Sequence, residues 1–382
     1  MMILSRPCRT GRTHEENPMR KLSLIFLSMV LCLTGLSVSG SANAADAEYV
    51  LSLNLPIPPI HNRWTHALKP WVEELEKRSN GRIKVEPYFA EALSKEADAF
   101  ESVKTGVADM AEFSFDVAVG QFPFHERVFT TVSPGVSMED PTSFVLAVQE
   151  AFPQVKKEFD GVKVLFTHAQ TVGMLIGSKE PITTLDAFKG KKINVLGDYQ
   201  VAQKVSALGA SVVSVPMADV FTSLQQGVID AATVDYDLLV SRRLGDVIKH
   251  VTAVQTTCFV FCVMMNQDVY DSMPEDLQAV IDSVSGEYGR QSFSQFWNTL
   301  PYQSLDTWME QMGGKLHVLT DEEYAEIDRR VVPVSVEWAQ ILDKAGYPGE
   351  AMVKKIHELQ STYAKPWKDS RSMEIFKKSS GK

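Results

Sequence analysis

Two short runs of this chain place acids beside aromatic rings where apolar strands end: 113–116, Phe-Ser-Phe-Asp, and 234–237, Val-Asp-Tyr-Asp. Carboxylates flanked by aromatic faces suit an ammonium group, through charge-assisted hydrogen bonds and cation–π attraction. Both runs follow matching segments. Residues 221–230, FTSLQQGVID, repeat residues 100–109, FESVKTGVAD, with five identities in ten positions. Each copy reads as the last turns of an amphipathic helix, a glycine that ends it in the left-handed conformation, and a short apolar strand. Ligands of open α/β sheets sit beyond the carboxyl ends of strands. The runs beginning at Phe113 and Val234 are therefore expected to face one shared cleft.

The elements that position them follow from the pattern. Residues 190–237 read strand (192–196), helix (198–208), strand (212–215), helix (218–226) and strand (228–234), with glycines at 209 and 227. Before them come a strand at 49–55, a proline-rich turn, a helix from Trp64 to Gly81 with apolar residues on one face, and a strand at 83–88. Asp140-Pro141 opens a helix, 162–167 is a strand, and 172–178 crosses into a second domain. A helix over 238–250, a strand over 257–265 and a long helix over 274–312 kinked at Pro301 follow. Thr320 and Glu323 form a capping box, and Pro333 bends or ends the helix they open. The expected fold is α/β, two domains forming a hinged clamp, with a ligand cleft between the domains and a long kinked connecting helix. Domain I spans 45–170 and 258–299, domain II 171–257 and 300–350, and 351–382 form a helical tail.

Met19, Arg20, Lys21, the apolar run 22–36 and Ala42-Asn43-Ala44 read as a secretory signal cleaved after Ala44, with translation starting at Met1 or Met19. The run is short for a bilayer, and no later stretch approaches the roughly 20 apolar residues a span needs. The localisation expected is the periplasm. Of 38 basic and 48 acidic residues, the part after the signal keeps an acidic excess, which disfavours nucleic acid and anionic membranes as partners. Cys258 and Cys262 lie four apart in one apolar run, roughly 13 Å along a strand. That is too far for a disulfide between them, and two buried thiols are expected. No Gly-x-Ser-x-Gly, phosphate loop or Gly-x-Gly-x-x-Gly occurs, and His61, His66 and His125 lack metal-ligand spacing. No enzymatic activity, metal or cofactor is expected.

Several motifs, in order, carry a resemblance: Gly106–Asp109, Ser178-Lys-x-Pro-Ile182, Phe188–Ile193, Leu208-Gly-Ala210, Leu224–Asp230 and Met273–Gln278. The chain resembles the DctP-type solute-binding proteins of TRAP transporters. The resemblance implies a receptor that closes on a small-molecule solute and delivers it to the membrane permease subunits of an ion-gradient-driven transporter. It also implies a carboxylate-gripping arginine in the strand after the Lys-Gly segment, where this chain has Asn194, and a second where it has Gly173. The family's asparagine falls on Val234 and an aromatic on Met217.

An organic acid buried without such a partner costs on the order of 3–5 kcal/mol. What stands near these positions is instead acidic and aromatic. Candidate ligand contacts are Asn194, Asp198, Tyr199, Met217, Phe113, Ser114, Asp116, Asp235 and Phe261. They point to a small amine or amino alcohol of the ethanolamine type, or a zwitterion with a compact cationic end. The alternative is an organic acid held by Lys192, Arg63 or Asn194.

Overall fold

The computed structural model describes residues 47–196 and 199–379; the expected signal segment and Asp198 lie outside them. The chain runs β1 (Tyr49–Asn54), α1 (Lys69–Arg78), β2 (Ile83–Tyr88), α2 (Ala99–Lys104), β3 (Met110–Ser114), β4 (Val136–Met138), α3 (Pro141–Ala151) and β5 (Val162–Ala169). It continues through β6 (Met174–Ser178), β7 (Lys192–Asn194), α4 (Tyr199–Ala207), β8 (Ser211–Val213), α5 (Met217–Gln226), β9 (Ala231–Val234), α6 (Tyr236–Ser241), β10 (His250–Thr257) and β11 (Val260–Asn266). The rest is mostly helical: α7 (Gln267–Ser272), α8 (Glu275–Val284), α9 (Gly286–Trp297), α10 (Leu300–Met312), β12 (Lys315–His317), α11 (Asp321–Lys344), α12 (Gly349–Tyr363), β13 (Ala364–Pro366) and α13 (Arg371–Ser379).

Two mixed sheets result. The first has the order β2-β1-β3-β11-β5 and the second β12-β10-β6-β9-β7-β8, while β13 pairs with β4. Strand alternation gives the first sheet two apolar faces, one carrying Phe113, Cys262 and Met264, the other Phe166, Phe261 and Val263. Helices cover both faces, as a sheet holding parallel pairs requires. The second sheet builds one continuous core through Leu175, Ile193, Val234 and Trp308.

The sequence repeat is structurally equivalent in the two sheets. Gly106 and Gly227, at φ +76° and +72°, end their helices in the left-handed region. Asp109 Oδ2 accepts from the backbone N–H of Ser52 in β1 at 2.8 Å, and Asp230 Oδ2 accepts from that of Lys192 in β7 at 2.8 Å. Each repeat aspartate thus ties its strand to a parallel neighbour, which sends the ends of β3 and β9 to equivalent places.

Three expectations need correction. The strand placed at 257–265 is β11, which starts at Val260 and pairs with β3 and β5; the residues before it form a further strand, β10, which pairs with β6, and the chain passes between the sheets at Cys258 and Phe259. The helix placed at 238–250 stops at Ser241; a 3-10 turn at Leu244–Asp246 follows, and His250 already begins β10. The long helix over 274–312 is three helices, broken at Ser285 and before Leu300, with Pro301 in the first turn of α10, where its missing N–H costs nothing. The long helix is α11, capped by Thr320 and Glu323 and continuing through Pro333. Cys258 and Cys262 are free and buried, and burial pushes both thiol pKa values up.

Candidate functional site

The strand ends of the two sheets meet in a seam lined by ionisable side chains. On the first sheet, Glu112 is fully buried in β3. Arg63 Nε lies 2.8 Å from its Oε1, and His168 Nε2 lies 3.5 Å from the same oxygen. Trp297 donates its indole N–H to His168 Nδ1 at 3.1 Å, so a neutral His168 carries its hydrogen on Nε2, facing Glu112. Burial lowers the His168 pKa to about 4 and keeps it neutral. Burial pushes Glu112 toward protonation, but Arg63 and His168 outweigh it and hold it below the usual range. The Arg63 guanidinium lies over the Phe261 ring, 4.4 Å from its centroid, and Phe261 stacks on His168 at 5.0 Å.

More carboxylates gather around this group. Glu96 accepts from the Ser114 N–H at 2.9 Å, and burial lifts its pKa to about 7. On the second sheet, Asp235 caps α6 by accepting from Leu238 N–H at 2.8 Å, and Asp237 lies one residue further on. Burial raises the pKa of both, and Asp237 adds repulsion at Asp235. Neither forms an ion pair with lysine or arginine among the described residues.

The two sheets are bridged at this point. Gln170, just past β5, donates to Asp235, and Asn62 Nδ2 donates to Asp237 Oδ1 at 3.0 Å. Beside these bonds lies a cleft of about 300 Å³ lined by Pro58, Ile60, His61, Asn62, Asp237, Ser241 and Arg242. His61 is neutral, its pKa lowered to about 4 by burial and by Arg63. A larger hollow, about 630 Å³, lies along α11 and α12 over Val331, Val336 and Val353. It sits on helix faces rather than at strand ends, so position, not volume, assigns the site.

The structure spreads the expected contacts unevenly. Asp235, Ser114, Phe261 and Asn194 lie at strand ends near the seam. Asn194 is fully buried; its Oδ1 accepts from Val215 N–H at 2.6 Å and its Nδ2 has no acceptor among the described residues. Asp116 accepts from the Ser114 hydroxyl and lines a void of about 10 Å³ with Val201, Lys204 and Cys258, room for about one water. Met217 is half-buried at the start of α5, Tyr199 is 62% exposed on α4, and Asp198 lies outside the described residues. Phe113 needs correction: it is fully buried on the opposite face of β3 from Glu112 and Ser114, edge-on to Phe115, and serves the core. Lys192 is exposed at the start of β7.

Sequence reasoning missed Lys204. It is 3% exposed, and its Nζ crosses from α4 to donate to Phe129 O at 2.9 Å and Val132 O at 3.2 Å. The available signal was its place with Val201 and Val205 on the buried stripe of α4, which Leu208 continues just past the helix end.

Residues 57–341 match the family model DctP, bacterial extracellular solute-binding protein, family 7. The chain belongs to this family. Among its relatives, a solute-binding protein of Albidiferax ferrireducens is 29% identical over 226 residues, 58% of this chain and 65% of that protein. The ectoine-binding periplasmic protein TeaA of Halomonas elongata is 25% identical over 233 residues, 60% of this chain and 66% of the relative. The chain thus spans just under two thirds of each of these two. A marine metagenome TRAP solute-binding protein specific for aromatic acid ligands, solved with 3-hydroxybenzoate, superposes with a TM-score of 0.71 at 25% identity, covering 83% of this chain and 99% of the other.

Within a DctP-type protein the glycine at 173, where the resemblance implies an arginine, acquires a structural reading. Gly173 lies at φ +75° where the chain crosses between sheets, and a Cβ there would meet Thr257 O at 2.1 Å and Cys258 Sγ at 2.7 Å. No side chain fits at 173 without moving backbone. The crossing is tight on both sides, since Val172 also has positive φ, at +70°.

Proposed function

We propose that this chain is the solute-capturing periplasmic receptor of a TRAP-type transporter, working with membrane permease subunits. Its solute is a small molecule with a cationic end: an amine, an amino alcohol of the ethanolamine type, or a compact zwitterion. One observation carries the reading. Asp235 and Asp237 lie together in the seam, desolvated and bridged to the other sheet by neutral amides; neither forms an ion pair with lysine or arginine among the described residues, and Arg242 acts on Asp237 only from a distance. An ammonium group placed there relieves the repulsion between them and draws the two sheets onto itself. A relative in the family is named for binding ectoine.

The aromatic-acid-specific relative favours a second reading, an organic acid. In this chain its carboxylate would take the spare N–H of Asn194 or the guanidinium of Arg63. A thermal-shift screen of residues 45–382 against amines, amino alcohols, zwitterions and acids separates the two. A ligand at about 100 times its Kd stabilises the fold by about 2.7 kcal/mol. Shifts from amines or zwitterions are expected; shifts from simple acids alone would overturn the cationic reading.

A further inference from the structure

The acids of the second sheet account for one end of a solute, with Arg242 near Asp237, and Arg63 is the cation paired with Glu112 on the first sheet. Its position is unusual for a structural arginine. Nε lies 2.8 Å from Glu112 Oε1 as an ion pair without hydrogen-bond geometry, and the guanidinium lies over Phe261, while neither Nη has an acceptor among the described residues, although the residue is only 7% exposed. Behind it, Glu112 is braced by His168 and His168 by Trp297, so three buried side chains fix the guanidinium. Arg63 N–H donates to His61 Nδ1 at 3.1 Å, and the intervening Asn62 donates to Asp237. The arginine therefore starts from the same loop that touches the acidic side of the seam.

We infer that Arg63 grips a ligand carboxylate through its two Nη groups, and that the solute is a compact zwitterion whose ammonium faces Asp235 and Asp237. A planar fork held from behind by a carboxylate is preorganised for a second, bidentate carboxylate. The cation that grips the acid then comes from the first sheet, because Gly173 and Asn194 no longer supply it from the second. Glu112 is a positioning residue in this arrangement and touches no ligand. The inference rests on the receptor reading above, but its carboxylate half stands independently of the cationic half.

Matched probes test it: β-alanine, 4-aminobutyrate and glycine betaine as zwitterions, ethanolamine and ethylamine as amines, propionate and butyrate as acids. Calorimetry would compare the wild type with Arg63→Lys, which keeps the charge beside Glu112 but removes the fork. A second variant, Arg63→Met with Glu112→Leu, removes both charges together so that none is stranded if the lysine variant folds poorly. The expected result is that the wild type binds at least one zwitterion about tenfold or more tighter than the amine of similar size, and that both variants lose this preference while retaining amine binding within about twofold. If propionate or butyrate binds and Arg63→Lys abolishes it, while no amine or zwitterion binds, Arg63 keeps its role and the cationic reading fails. A preference for the carboxylated probes that survives in both variants overturns the inference. So does a wild type that binds neither zwitterions nor acids, or amine binding that falls as far as zwitterion binding.

Discussion

Asn62 Nδ2 and Asp237 Oδ1, 175 residues apart in sequence, meet at 3.0 Å across the seam between the two sheets. The bond joins the loop after β1 to the first turn of α6, so it forms only when the strand ends of both sheets are together. Asn62→Ala removes one neutral donor to a charged acceptor, worth about 1–2 kcal/mol. We expect Tm to fall by a few degrees and solute affinity by up to about tenfold; an unchanged Kd by calorimetry would mean that the bond does not contribute to the bound state.

Asp235→Asn keeps an acceptor for the Leu238 N–H, since asparagine caps helices as well as aspartate does. The fold should therefore survive. Losing a charge-assisted bond of about 1.5–3 kcal/mol should weaken binding of any cationic solute by at least about tenfold. Circular dichroism melts establish the fold; retained affinity in a folded variant would remove Asp235 from the site.

Glu96 makes stability depend on pH in a definite sense. Its pKa is raised to about 7 in the fold, from an ordinary value of 4.5. Such a group contributes stability that is whole below the ordinary value and is lost as pH rises through about 7. The side chain is partly exposed, so the loss is discounted to about 1–2 kcal/mol. Glu96→Gln should flatten the decline in urea-denaturation stability between about pH 5 and about pH 8. An identical decline in the variant would refute the assignment. Binding of a cationic solute runs the other way: it favours ionised Glu96, Asp235 and Asp237, so affinity should rise with pH over the same range.

Gly173 tolerates no side chain. Alanine there combines a left-handed backbone with a contact of 2.1 Å to Thr257 O. Strain and overpacking together should cost about 3 kcal/mol, read as a lower urea midpoint. Wild-type stability in Gly173→Ala would show that the crossing relaxes easily.

Lys204 joins the sheets independently of any solute. Lys204→Met removes the cation from Phe129 O and Val132 O and leaves two buried carbonyls short of a donor. A loss of about 2–3 kcal/mol is expected, at an unchanged m-value if the two sheets unfold together. Stability equal to wild type would show that the contact is dispensable.

What the amino-acid sequence determined by itself was local and repeated. The left-handed glycines at 106 and 227, the Thr320–Glu323 capping box and the Asp140 cap each act within a few residues, so they can be read from spacing alone. The repeat implied two equivalent strand ends, and the structure places Ser114 and Asp235 at them. Only the tertiary structure decided what lies between. The Glu112–Arg63, Gln170–Asp235 and Lys204–Phe129 pairs are separated by 49 to 75 residues, and a polar side chain on an apolar stripe gains its partner from another element. The same holds for backbone breaks. An apolar run at 250–266 carries no local sign that its two halves belong to different sheets, because the hydrogen-bond partners of each half come from strands distant in sequence.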